Sequence, residues 1–343
     1  MKTIFSEKHR LHFPQGELYG GQLVTPFERP SRIEYVLRRL DEVGMPAPTS
    51  PGAPDMASVR AVHDENYLAF LETAWAEWKA EGFDGEVLAA SYPVRRQNQV
   101  RVPRNIDGKV GFYSLASETA ITSGTWEAAL SSVATLQTAQ RLVAGGERAA
   151  FALCRPPGHH ATRDQYGGYC FINNAAVAAQ MFIDGGASRI AVLDVDFHHG
   201  NGTQDIFYAR DDVLFCSLHG DPEDAFPYFT GYADECGEGL GEGFNVNYPM
   251  PKGTLFSLWR EALADALRRI GDYGPDALVV SLGVDTFEDD PISFFKLVND
   301  DYKVIGRDVA GLGLPTLIVL EGGYAIESVG INTVNVLQGF EEA

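Results

Sequence analysis

The sequence predicts a single α/β domain built on a parallel sheet with helices on both faces. Three observations predict it. Short apolar runs of strand length alternate with segments whose apolar residues recur at helical spacing. The polar clusters that stand out are His159 with His160, Asp194 with Asp196 and His198, Asp285, and Tyr324. Each follows the carboxyl end of an apolar run, which is where open parallel sheets bind ligands. No repeat, low-complexity tract or linker divides the 343 residues.

Taken in order, residues 2–5 read as a first short strand, followed by a polar loop through Glu17, Leu18, Tyr19, Gly20 and Gly21. A helix is predicted over 31–43. Ser31 and Glu34 have capping-box spacing, Ile33, Val36, Leu37 and Leu40 form its apolar stripe, and Gly44 ends it. A second helix over 67–79 carries Leu68, Leu71, Trp75 and Trp78 as a core-facing stripe. Residues 81–104 show no period, are locally basic and are long for a loop. They are expected to cover the site or to meet a second subunit. A helix over 126–143 ends at Gly145 and Gly146, and a strand over 149–154 runs into the string RPPGHH. Asn173 or Asn174 caps a helix through Ile183. Residues 190–193 form a buried strand. Asp194, Asp196 and His198 then occupy every second position, so an extended chain projects them to one side. A strand over 213–218 ends at His219, and a glycine-rich loop spans 220–243. An amphipathic helix over 254–270, a strand over 277–282, a helix over 300–311 and a last strand over 315–320 complete the pattern.

A net charge of −20 argues against nucleic acid or an anionic membrane as partner and suits a cationic ligand. No apolar run approaches the length of a membrane span. The start of the chain, MKTIFSEKHRLHF, lacks the unbroken apolar core of a secretory signal. Cys154, Cys170, Cys216 and Cys236 form no C-x-x-C pair, so free thiols in a reducing, cytoplasmic setting are expected.

Asp196, His198 and Asp285 supply two carboxylates and an imidazole. Charges at the end of an apolar strand are costly unless paired or bound to a metal. Three such ligands balance a divalent cation and leave a position open, as in catalytic zinc sites. A cation held so makes a bound water a better acid. His159 and His160 follow a proline-stiffened turn, and one of them can act as general base and as acid to a leaving amine. Asp194 and Asn201 are the candidates for orienting these imidazoles. Tyr324, in GGY, can donate to a developing oxyanion. Together these groups suit metal-assisted hydrolysis of a carbonyl compound, with an amide as the expected substrate.

The strings RPPGHH, GGYCFINN, LDVDFHHGNGTQ, SLGVDTF and EGGY together resemble the arginase-deacetylase fold, and within it the histone deacetylase family. GELYGG at 16–21, SYPVRR at 91–96 and DPISFFKL at 290–297 resemble its bacterial acetylpolyamine amidohydrolase branch. The resemblance covers nearly the whole chain. It implies a mostly eight-stranded sheet and one Zn2+ at Asp196, His198 and Asp285. It further implies His159 and His160 as acid/base pair with His160 the base, Asp194 orienting His159, and Tyr324 as the electrophilic phenol. Asn201 stands where many relatives carry Asp, which lowers the charge behind His160. A structural K+ is implied at Asp194, Asp196, His198, Ser217 and Leu218. Tyr169 and Phe226, with Gly168 and Tyr19, would line a narrow tunnel, and Cys170 would be a small wall residue beside the metal. The branch is dimeric, and residues 93–104 match the insertion with which each subunit narrows the other's entrance. Glu17, Asp107 and Glu118 are the acids carried over for the distal ammonium of the substrate.

The expected function is thus zinc-dependent deacetylation of acetylated polyamines or diamines, such as acetylputrescine, acetylcadaverine or acetylspermidine. A protein acetyl-lysine deacetylase is the alternative that an open entrance would favour. An arginase-like ureohydrolase needs a further acid in the central string, where Gly200 stands instead. A polyamine-binding protein without activity would be expected to lack one of His159, His160 and Tyr324, all of which are present.

Overall fold

The computed structural model describes residues 1–96 and 100–343. In chain order the elements are β1 (Lys2–Ile4), a 3-10 turn (Glu7–Leu11), β2 (Glu17–Tyr19), β3 (Gln22–Val24), α1 (Ser31–Glu42), α2 (Met56–Val62), α3 (Glu65–Ala80), α4 (Ile106–Tyr113) and α5 (Thr125–Ala144). They continue with β4 (Ala149–Ala152), α6 (Asn174–Asp184), β5 (Ile190–Asp194), α7 (Asn201–Phe207), β6 (Val213–Gly220) and β7 (Asn245–Met250). The last are α8 (Phe256–Tyr273), β8 (Ala277–Leu282), α9 (Asn299–Ala310), β9 (Thr316–Leu320) and α10 (Ile326–Glu342).

Seven strands form one sheet in the order β1-β4-β9-β8-β5-β6-β7, every pair parallel. The strands are apolar on both faces because both are covered. Along β5, Ile190 and Val192 face the core under α2–α7, while Ala191 and Leu193 face the core under α1, α8, α9 and α10. This is the two-residue period of a pleated strand, applied to a run with no polar residue.

Among the described residues the sheet has seven strands, not eight. Its two edges explain where it stops. β7 carries Pro249, which has no N–H to offer a further strand. β1 is three residues long, and its outer edge is met by a single bridge to Thr49. The segment expected as a polar loop forms instead the separate antiparallel hairpin β2–β3, turned by Gly20 and Gly21.

The predicted helices are present within a few residues of their expected ends. One cap differs. Pro30, not Ser31, occupies the N-cap of α1, and no side chain caps it. Proline's φ of −54° already matches the helix, so the turn begins before Ser31 and leaves no role for a capping box. Gly44 does end this helix, in left-handed conformation. Asn173 is the cap of α6 and accepts from Ala176 N–H. No helix among the described residues is long and apolar enough to cross a membrane. Cys154, Cys170 and Cys216 are buried, Cys236 is exposed, and all four are free thiols.

The connections explain why the site lies where it does. From β5 the chain passes through α7 to β6 on one side, whereas from β8 it passes through α9 to β9 on the other. β5 and β8 are neighbours, so a crevice opens between their carboxyl ends at a topological switch point.

Candidate active site

The two acidic strand ends meet in that crevice. Asp196 and His198 follow β5, Asp285 follows β8, and their ligand atoms lie within 4.8 Å of one another. All three residues are buried. His198 Nδ1 is 2.9 Å from Asp285 Oδ2 and 3.3 Å from Asp196 Oδ1. Backbone N–H groups complete the frame: Phe197 donates to Asp285 at 2.8 Å, and Gly322 donates to Asp196 at 2.8 Å. No lysine or arginine hydrogen-bonds either carboxylate among the described residues. Burial, and then the negative Asp196, push the Asp285 carboxyl up to about 8. Two buried carboxylates around one imidazole are a set that a divalent cation would neutralise. The space is also kept open: a Cβ at Gly322 would lie 2.6 Å from Asp285 Oδ2. The donor set therefore fits a metal ion.

The tandem histidines come from the turn after β4. Glu321, at the end of β9, holds that turn by accepting from Gly158 N–H at 2.6 Å and His159 N–H at 3.2 Å. His159 Nδ1 is 2.9 Å from Asp194 Oδ2, and His160 Nδ1 is 2.7 Å from Asn201 Oδ1. The rings stand 4.0 Å apart. Burial disfavours a charge on His159, but Asp196 and Asp194 outweigh it and hold its pKa at about 10. Burial, with His159 and His198 beside it, holds His160 well below the ordinary imidazole value. With Nδ1–H given to Asn201, the Nε2 of a neutral His160 is an acceptor. Of the pair, it is His160 that lines the cavity.

That cavity has a volume of about 440 Å³. His160, His198 and Tyr324 line it. Its aromatic walls include Tyr169, Phe226 and Phe294, and acidic Glu17, Glu118 and Asp224 are also among its lining residues. Phe226 packs edge-on against His160 at 5.0 Å. Tyr19 is half exposed and lines the same cavity. Gly168 has φ +54°, and a Cβ there would collide with the His160 ring. Tyr169 follows with φ +67°, uncommon for a bulky residue, and Thr119 Oγ1 accepts its N–H at 2.8 Å. The Tyr169 hydroxyl donates to Glu17 at 2.9 Å. Glu118 accepts from Gly168 N–H at 2.8 Å. These acids thus also build the wall they line.

Tyr324 lies 5.6 Å from Tyr169, ring to ring, and burial raises its phenol well above 10, so it keeps its proton at neutral pH. The Arg32 guanidinium lies 4.9 Å over its ring and donates 2.6 Å bonds to the Glu321 and Gly323 carbonyls. Asp107 sits in the first turn of α4 and does not line the cavity of the single chain. Cys170 is buried and donates to Gly168 O at 3.2 Å. Ser217 is the register partner of Asp194, and its hydroxyl meets His219 at 2.8 Å. Of the insertion at 93–104, residues 97–99 lie outside the described residues.

Residues 26–340 match the histone deacetylase domain family. This chain belongs to the histone deacetylase family. Within the family, an acetylpolyamine amidohydrolase of Mycoplana ramosa is 58% identical over 339 residues, covering 99% of each chain. Acetylpolyamine amidohydrolase 1 of Pseudomonas aeruginosa is 54% identical over 344 residues, covering 100% of this chain and 99% of its own. A crystal structure of acetylpolyamine aminohydrolase from Burkholderia pseudomallei superposes with a TM-score of 0.94 at 41% identity, covering 99% of this chain and 98% of the other. The histone deacetylase fold seen here is accordingly the arginase-deacetylase fold.

Several residues of this histone deacetylase site had no signal of their own in the sequence. Asp224 and Tyr228 line the cavity but sit in a string that reads as ordinary loop. Phe197 and Phe294 line it too, from within the strings LDVDFHHGNGTQ and DPISFFKL, where nothing marked them as wall residues. Glu28 and Arg32 flank a proline turn and look like surface charge. Glu321 is the one with a usable signal, a glutamate directly after an apolar strand and before Gly-Gly.

Proposed function

We propose that this chain is a zinc-dependent amidohydrolase that removes acetyl groups from acetylated polyamines and diamines. One observation carries the reading: His160, His198 and Tyr324 line the same cavity as Glu17, Glu118 and Asp224. The full-length similarity to enzymes named acetylpolyamine amidohydrolase supports it. Amide chemistry would sit among the first three, and Glu17 and Glu118 suit a cationic amine, whereas Asp224 already pairs with Lys252 at 2.6 Å.

Asp196, His198 and Asp285 would hold the cation, which supplies Lewis acidity toward the amide carbonyl and a more acidic water. His160 accepts a proton at Nε2 and gives it to the leaving amine, with Asn201 fixing its other nitrogen. His159 is the other member of the acid/base pair, its Nδ1 held by Asp194 at 2.9 Å. Tyr324 donates its hydroxyl proton as a hydrogen bond to the carbonyl oxygen as negative charge develops there. Tyr169 and Phe226 exclude water along the alkyl chain, and Glu17 and Glu118, with Asp107, attract the distal ammonium. A K+ at Asp194, Asp196, His198, Ser217 and Leu218 would brace the turn after β5.

We read the chain as one deacetylase domain over 1–343 that works as a cytoplasmic homodimer. Val94, Val100 and Val102 of the insertion, with Tyr92 just before it, are exposed apolar side chains in the single chain, which supports a second copy covering it.

The test is a kinetic comparison on zinc-loaded enzyme. Acetylputrescine, acetylcadaverine, acetylspermidine and an acetyl-lysine peptide are run side by side. A kcat/KM at least about 10-fold higher for the small amines, a difference of about 1.4 kcal/mol, is the expected result. Equal or better turnover of the peptide would replace this reading with protein deacetylation.

A further inference from the structure

Asp290 opens the string DPISFFKL and takes no part in the chemistry described above. It is 6% exposed. Its hydrogen-bond partners among the described residues are backbone N–H groups. Oδ1 accepts from Ile292 at 3.1 Å, and Oδ2 accepts from Tyr324 at 2.7 Å and Ala325 at 3.2 Å. A buried carboxylate without a cationic partner is tolerated only where such dipoles converge on it.

Those three N–H groups belong to two different walls. Ile292 lies in the segment 291–294, which lines the cavity. Tyr324 carries the phenol. The turn that bears the phenol is thus held from both sides: Arg32 takes the carbonyls of Glu321 and Gly323, and Asp290 takes the N–H groups of Tyr324 and Ala325. The 291–294 segment is itself anchored, because Phe294 packs edge-on against Phe197 at 4.7 Å and Glu288 N–H closes the loop onto Leu297 O at 2.9 Å.

We propose that Asp290 is a positioning residue that locks the phenol-bearing turn at Tyr324 to the cavity wall at 291–294, so that the wall touched by a substrate's alkyl chain sets where the Tyr324 hydroxyl stands. The inference rests on the reading of Tyr324 as the oxyanion donor. It deepens that reading, because binding along the wall is then used to align a group that acts only in the transition state.

The experiment compares wild type, D290N, Y324F and the double variant on acetylputrescine. D290N keeps the size of the side chain but turns an NH2 group toward N–H donors. Its kcat is expected to fall about 100-fold, the cost of a catalytic group displaced by about an ångström. KM, zinc content and melting temperature stay near wild type. In the Y324F background the same change costs no more than about two-fold, because two residues that act as one unit do not add. D290S is the second variant, since a serine can still close the turn at Ile292 but does not reach Tyr324. Wild-type kcat in D290N, or losses that multiply in the double variant, overturns the inference. So does failure of both variants to fold, which would make Asp290 a support of the fold alone. Wild-type turnover by Y324F would instead overturn the reading of the phenol.

Discussion

Glu17 shows how far surroundings can change a single side chain. It is 2% exposed although it lines the cavity. Burial pushes its carboxyl up to about 7, against the hydrogen bonds from Phe27 N–H and the Tyr169 hydroxyl. It is therefore charged above neutral pH and loses its charge below it. A substrate amine stays protonated throughout this range, with a pKa near 10.4 for a lysine-like group (approximately). The KM for acetylputrescine should then fall as pH rises from about 6 to about 8, the window around the shifted carboxyl. E17Q should raise KM about 10-fold at pH 8, the equivalent of about 1.4 kcal/mol, and flatten its pH dependence. A wild-type KM that does not move across this window would remove Glu17 from ammonium binding. His159 and His160 make the same point. They are adjacent in sequence, yet Asp196 and Asp194 raise the proton affinity of His159 while burial, with His159 and His198 beside it, lowers that of His160.

Between elements, charge is used very differently inside and outside. Glu28 Oε1 accepts from Arg32 at 2.9 Å and from Arg155 at 2.7 Å, and all three side chains are at most 2% exposed. Arg155 also donates to the carbonyls of His9 and His12. The cluster thus ties together the N-terminal turn, the start of α1, the histidine turn after β4 and the tyrosine turn after β9. Losing one partner strands the others in a dry interior. E28Q should cost about 3–5 kcal/mol of unfolding free energy, read as a lower urea midpoint at unchanged slope. The contrast is Asp265, which pairs with Arg268 and Arg269 on the solvent face of α8. Solvent screens such pairs to about 1 kcal/mol or less. An E28Q loss no larger than that of D265A would mean the buried triad holds no more than a surface pair.

For the molecule as a whole, the buried histidines set an acid limit. Burial is the first cause that lowers His9 and His12 to about 3 and His63 and His219 to about 4. All four are neutral in the folded state at pH 5, whereas in the unfolded chain they take up protons below about 6.5. A depressed folded pKa means stability that is present above the unfolded value and lost as pH falls toward the folded one. At pH 5 each histidine costs about 2 kcal/mol relative to pH 7.5. The melting temperature should drop steeply between these two pH values and should recover on return. A flat profile would show that these imidazoles are not held neutral. The switch point between β5 and β8 is the other whole-molecule feature, since it brings Phe197 N–H onto Asp285 across 88 residues of chain and sets Asp196 beside that carboxylate.

Local pattern determined most of the elements. Apolar runs such as 190–193 and 277–282 specify strands because they leave no polar face, and the stripe Ile33, Val36 and Leu40 specifies a helix because 3.6-residue spacing puts it on one side. The polar residues Asp194, Asp196 and His198 were legible at the strand's end, but β5 stops at Asp194, which holds His159, and only Asp196 and His198 join Asp285. The helices α2, α4, α7 and α10, the hairpin β2–β3 and the strand β7 were not legible, because their apolar periods are short or interrupted and tertiary burial decides them. Nor does any local rule say that Glu28, Arg32, Asp290 and Glu321 are buried. Their burial is repaid by partners on other elements: Glu28 and Arg155 are 127 residues apart, Glu321 and Gly158 are 163 apart. The sequence by itself determined which residue types stand at the ends of the strands. The tertiary structure alone decided which of them share one cavity, because a desolvated charge is stable only where the fold delivers its counter-charge or its N–H donors.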